Sequence, residues 1–272
     1  MEALLELLAG RGDDLELDRA ALALARIEYP GLDIEPFVAM LDSYAVELAS
    51  RLGNCCDGSE YVEAANEYLF RELGFTGNLE NYYDPRNSCL NEVLTARTGI
   101  PIALAVVYLE IGRRLAKPVY GIGLPGHFLV QYRDADFSAF IDVFNGGRLL
   151  SKAECFELAG HATGSEIAAD PRLLTPVGKP QILMRMLNNL RGVYLVRRAY
   201  GKALQTLNLM LAGNPDGAEE YKQRGMVHLQ MRNLSAGRTD LETYLRLAPE
   251  SGDRAEIERH LRAVRDFLAG LN

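Results

Sequence analysis

Apolar residues in the first 80 positions recur at helical spacing. Residues 17–27 are built from strong helix formers and stop at Pro30-Gly31, which predicts a helix. Residues 36–52 carry Phe37, Met40, Leu41, Tyr44 and Leu48 on one helical face and predict a second. Residues 61–73, ended by Gly74, predict a third. The charges of Asp13, Asp14, Glu16 and Asp18 read as a solvated face and a helix start.

The pattern changes after residue 81. Asp84-Pro85-Arg86-Asn87-Ser88 is turn chemistry, with Ser88 the expected N-cap of a short helix ending at Arg97. Thr98-Gly99 breaks that helix, and Pro101 suits the first turn of the next. Residues 102–115 are apolar nearly all round, as in a buried helix. Strand-like segments follow at 119–122, 127–132 and 138–143, punctuated by Gly121, Gly123, Pro125 and Gly126. A four-residue hairpin loop at 133–136 would set Tyr132 opposite Phe137 and His127 opposite Asp142, on one face of the sheet. A carboxylate there orients an imidazole and favours its charged form. A structural cross-strand hydrogen bond is the other reading of the same pair.

Beyond residue 181 the chain repeats itself. Leu190, Tyr194, Ala203, Leu207 and Pro215 are each followed 34 residues later by Arg224, His228, Gly237, Leu241 and Pro249. Ala203 and Gly237 let paired helices approach, and the prolines end the second helix of each unit. This is the helix–turn–helix period of tetratricopeptide repeats, here two units and a terminal helix at 253–268. Arg185, Arg191, Arg197, Arg198 and Lys202 fall in a stretch without acidic residues. They are candidates for holding an acidic peptide or a partner's terminal carboxylate. Contact with the acidic part of the same chain would satisfy them equally well.

Composition narrows the function. The 272 residues carry a net charge of −8, against a general nucleic-acid binder. The charge is uneven: 14 basic and 27 acidic residues in 1–177 give −13, and 15 basic and 10 acidic in 178–272 give +5. The proline- and glycine-bearing stretch 175–180 lies at the change and reads as a linker. The expected organisation is a helical region over 1–80, a core over 81–175 and repeat helices over 181–272. The longest apolar run, residues 100–109, is about half a bilayer span, so no membrane association is expected. The start Met1-Glu2-Ala3-Leu4 lacks a basic secretory n-region, and the four cysteines include no CxxC pair. A cytoplasmic setting with no disulfide framework, metal or cofactor is therefore expected.

Several long motifs resemble the SirB1 family. They are Ile27-Glu28-Tyr29-Pro30, Leu69-Phe70-Arg71-Glu72-Leu73-Gly74-Phe75-Thr76-Gly77-Asn78, Tyr82-Tyr83-Asp84-Pro85-Arg86-Asn87-Ser88 and Leu90-Asn91-Glu92-Val93-Leu94. Gly99-Ile100-Pro101-Ile102, Pro125-Gly126-His127-Phe128-Leu129-Val130 and Ile141-Asp142-Val143-Phe144-Asn145-Gly146-Gly147 complete the set. The resemblance extends over essentially the whole chain. It implies a mainly helical α+β fold, with a transglutaminase-like, papain-like core around a small antiparallel sheet and a helical repeat tail. In such a core a Cys at the start of a buried helix attacks an amide, a His moves the proton and an Asp orients the His. His127 and Asp142 match the family's histidine and aspartate.

The nucleophile's helix begins Pro101-Ile102-Ala103-Leu104, with no nucleophile among them. Cys89, at the N-terminus of the neighbouring short helix, is either a substitute thiol activated by that position or a small buried residue. Cys55, Cys56 and Cys155 read as structural thiols. The expected function is a protein-interaction or regulatory module on a degenerate core, its repeats binding a peptide or protein. The alternative is a papain-like amide hydrolase or acyltransferase using Cys89, His127 and Asp142.

Overall fold

Local signals fix where the first helices begin and end. Leu17–Leu24 (α1) tightens into a 3-10 turn, Ala25–Ile27, before Pro30. Glu35–Arg51 (α2) carries Pro36 in its first turn, where a missing N–H costs nothing. Gly58–Asn66 (α3) opens on a capping box: Asp57 accepts from the Glu60 amide while Glu60 accepts from the Asp57 amide. It widens into a π-helical turn, Glu67–Glu72, so the helix predicted over 61–73 starts earlier and changes pitch. A computed structural model describes residues 15–53 and 57–269; Asp13, Asp14, Cys55 and Cys56 lie outside them. The described residues form two compact units, one ending at Met186 and the other beginning at Leu187.

The apolar helix is the centre of the first unit. Pro101–Arg114 (α5) buries every residue from Pro101 to Gly112. The shorter Leu90–Ala96 (α4) precedes it, ended by Arg97 in the left-handed region at φ 56°. Two-residue strands, Thr76–Gly77 (β1) and Thr98–Gly99 (β2), pair in parallel and tie these loops together. Antiparallel pairing then joins Val119–Ile122 (β3), Leu129–Arg133 (β4), Ser138–Asp142 (β5), Arg148–Leu150 (β6) and Pro176–Val177 (β7), in the order β6-β5-β4-β3-β7. Lys152–Thr163 (α6) covers one face, packing Cys155 and Ala159 against Ile122, Leu129 and Phe140. The architecture is the expected one, mostly helical around a small antiparallel sheet.

Burial changes the reading of one acidic residue. Asp18 is 2% exposed rather than on a solvated face. Its carboxylate accepts from Arg114 Nη2 at 2.6 Å, and Arg114 also reaches the buried Glu110 at 2.7 Å. Burial alone would raise the Asp18 pKa, but hydrogen bonds from Arg114 and the Arg19 amide, with the nearby arginine charges, hold it below the usual range. Burial and the charge of Asp18 push Glu110 upward.

In the second unit the 34-residue period becomes paired helices. Lys179–Val196 (α7) runs across the unit boundary and is followed by Tyr200–Gly213 (α8), Ala218–Gln230 (α9), Leu234–Leu247 (α10) and Arg254–Ala269 (α11). The α9–α10 crossing is close because it is lined by glycine. A Cβ on Gly237 would stand 2.5 Å from Leu229 Cδ2 and 3.1 Å from the Gly225 carbonyl. Beside it, Arg224 grips the buried Asp240 with Nε at 2.8 Å and Nη2 at 2.7 Å.

Candidate functional site

The loop before β4 positions His127. Gly126 has a φ of 69°, and a Cβ there would sit 2.8 Å from Ala162 Cβ, so conformation and space both call for glycine. The His127 amide closes the turn onto the Leu124 carbonyl at 3.3 Å. His127 therefore precedes the strand, which begins at Leu129 rather than at 127.

The hairpin register differs from the expected one by two residues at the loop. Arg133 pairs with Ser138 and Tyr132 with Ala139, so Tyr132 does not face Phe137. Asp134 causes the shift. Its Oδ1 accepts from the amides of Asp136 and Phe137, closing a turn over 134–137 instead of 133–136. A two-residue slip leaves side chains on the same face, and diagonal neighbours remain within reach. His127 Nε2 and Asp142 Oδ1 are 2.9 Å apart in spite of the slip.

Asp142 is held on both oxygens. Oδ1 also accepts from the Phe144 amide at 3.2 Å, and Oδ2 accepts from Asn145 Nδ2 at 2.7 Å. Burial works against the charged carboxylate, but these bonds and the His127 ring outweigh it and lower the pKa. An ionised carboxylate only accepts, so Nε2 carries a proton and Nδ1 is the acceptor nitrogen of the neutral ring. That is the tautomer a general base or a ligand-binding imidazole needs. Both residues are nearly enclosed, with His127 7% and Asp142 2% exposed.

Aromatic rings extend from this pair to the surface. Phe144 meets His127 edge-on at 5.9 Å, Tyr82 meets Phe144 at 6.1 Å, and Tyr83 meets Tyr82 at 5.4 Å. Neither Tyr82 nor Phe144 emerged as a site residue from sequence reasoning. The available signal was their position inside the motifs that flank His127 and Asp142.

Cys89 sits on a different element from His127. It occupies the N-cap of α4, the place expected for Ser88, which belongs to the preceding 3-10 turn Pro85–Ser88. It is 1% exposed, and its Sγ lies 3.4 Å from the Pro85 carbonyl it donates to. Cys155 is buried in α6, which pushes its thiol up to about 11.

The five basic residues are divided between the two units. Arg185 belongs to the first unit, where Nη2 donates to the backbone carbonyls of Leu124 and His127. Arg191 pairs with Glu220 at 3.3 Å, and the Lys202 ammonium sits 5.9 Å from the centre of the Tyr194 ring. Arg197 and Arg198 are exposed after α7. The second unit also has a cavity of about 470 Å³, lined by Leu195, Tyr200, Lys222, Met226 and Ile257 among others. Among the described residues no helix is long and apolar enough to cross a membrane, and no three His, Cys, Asp or Glu cluster as a metal site.

A buried helix against a small antiparallel sheet, followed by paired helices, is the architecture of a transglutaminase-like protein with a tetratricopeptide tail. Residues 35–188 match the transglutaminase-like superfamily, and residues 190–262 match tetratricopeptide repeats. A UPF0162 protein of Xylella fastidiosa is 37% identical over 92% of this chain and 90% of its own. One from Vibrio cholerae is 29% identical over 87% of this chain and 88% of its own. The human F-box only protein 21 is 32% identical over 58% of this chain, which is 26% of that protein. The chain belongs to the UPF0162 family within the transglutaminase-like superfamily.

Proposed function

We propose that the protein is a cytoplasmic interaction module in which a transglutaminase-like core has given up covalent catalysis and the repeat helices bind a peptide or protein partner. The observation that carries this reading is the start of α5. A nucleophile is needed there, and the residues are Pro101, Ile102, Ala103 and Leu104. Triad members act as a unit, so His127 and Asp142 without a thiol retain little of the rate acceleration. The enclosed Cys89, turned to the Pro85 carbonyl, supports the same view. On the binding side, the second unit offers a cavity of a size suited to side chains of an extended segment.

The alternative, a thiol-dependent amide hydrolase or acyltransferase through Cys89, makes an opposite prediction in one experiment. Iodoacetamide labelling of each cysteine against pH, read by mass spectrometry, is compared between wild type and His127→Ala. The module reading expects slow labelling at every position, unchanged by the substitution. Rapid labelling of Cys89, with an apparent pKa well below the ~8.5 of a free thiol and lost in His127→Ala, would overturn it.

A further inference from the structure

We propose that Arg185 forms a carboxylate-binding site beside His127, bordered by the exposed Tyr82, and that it receives an acidic group of a peptide.

Arg185 is half-buried, and among the described residues no carboxylate lies within ion-pairing distance of it. Three other half-buried arginines have such a partner: Arg114 has Asp18, Arg191 has Glu220 and Arg224 has Asp240. Asp142 is not a counter-ion for Arg185, because its oxygens are occupied by His127, the Phe144 amide and Asn145. Burying a guanidinium without an anion is costly, and the desolvation depresses its pKa.

The guanidinium is also held in a fixed pose. Nη2 bonds the carbonyls of Leu124 and His127, and the group lies over the Phe128 ring at 5.6 Å. Nη1 lies along Gly123, where a Cβ would come within 3.4 Å of it. The remaining N–H groups of the fork are thus pre-oriented at no further entropic cost. Tyr82, 37% exposed, is near enough for the charge of Arg185 to act on its phenol.

One positive charge selects the ligand. A carboxylate has one charge, and its oxygen can accept from Nη1 or Nε while Nη2 stays on the two carbonyls. A phosphate dianion would leave a charge unanswered. The carboxylate can come from an acidic side chain or from a chain terminus. Neither Cys89 nor Ala103 takes part, so the outcome of the labelling experiment is independent of this site.

The test is an NMR titration of the full chain with four probes: N-acetyl-triglycine, N-acetyl-Gly-Glu-Gly-amide, the neutral N-acetyl-Gly-Gln-Gly-amide and inorganic phosphate. The expected result is a saturable shift of the His127 and Tyr82 ring signals with the carboxylate peptides and none with the neutral one. The carboxylate that saturates first identifies the source. Arg185→Gln keeps an amide donor for the two carbonyls but removes the charge, and should weaken binding about tenfold or more. Contacts between ligand protons and the Tyr82 ring in the wild type locate the site even if that variant does not fold. Equal binding of the neutral peptide, preference for phosphate, or no saturation with either carboxylate would overturn the proposal.

Discussion

At the scale of the residue, hydrogen bonding decides which charges the core tolerates. Asp142 is enclosed, yet its pKa is lowered by His127 and Asn145, so its stabilising effect belongs to the ionised form. The folded-state value lies below the ordinary ~3.9 of Asp. The contribution is therefore complete above that value and is lost as pH falls through the folded one. Asp142→Asn should cost about 1–3 kcal/mol at neutral pH. The gap between wild type and variant should close as the pH drops below about 4. Urea unfolding at several pH values measures this, and a gap that persists to about pH 2 would show that the charged form is not what is being stabilised. Asp18 shows why such residues are hard to read from sequence. A carboxylate near a helix start looks solvated until Arg114, 96 positions later, is known to reach it. The His127–Asp142 pair was more legible, because its partners are only 15 positions apart on neighbouring segments.

At the scale of the element, α5 depends on charges at its otherwise apolar end. Arg114, 11% exposed at its side chain, answers Asp18, Glu110 and Asp42 together. Arg114→Met should destabilise the protein by about 3–5 kcal/mol, because two enclosed carboxylates lose their main counter-ion. Arg113→Met, at a side chain 47% exposed, should cost less than about 1 kcal/mol. Denaturant midpoints compare the two, and equal losses would mean that the ion pairs are not what docks α1 on α5. The hairpin between β4 and β5 shows how far element-level reasoning reached. Strand alternation gave the faces correctly, because a slip of two residues preserves them. The loop position was missed, because the Asp134 side chain closes the turn one residue later than hydrophobic pattern alone suggests.

At the scale of the molecule, the chain joins a unit built on long-range pairing to one built on local helix crossings. The second was readable from its 34-residue period, because each crossing requires a small residue at the same place in every unit. Gly237 tests that requirement. Replacing it with Ala gains helix propensity of about 1 kcal/mol but drives a methyl into Leu229 and the Gly225 carbonyl. Leu229 can move, whereas the carbonyl belongs to the facing helix and cannot retreat without opening the crossing. The net effect should be a loss of about 1–3 kcal/mol, confined to the helices that stack through it. Hydrogen exchange should therefore show weaker protection in α9 and α10 with α5 and β4 unchanged, as expected of cooperative units with separate stabilities. Equal loss in α5 would mean that the two units unfold as one, and that a partner bound to the repeats would be felt at His127 through stability alone.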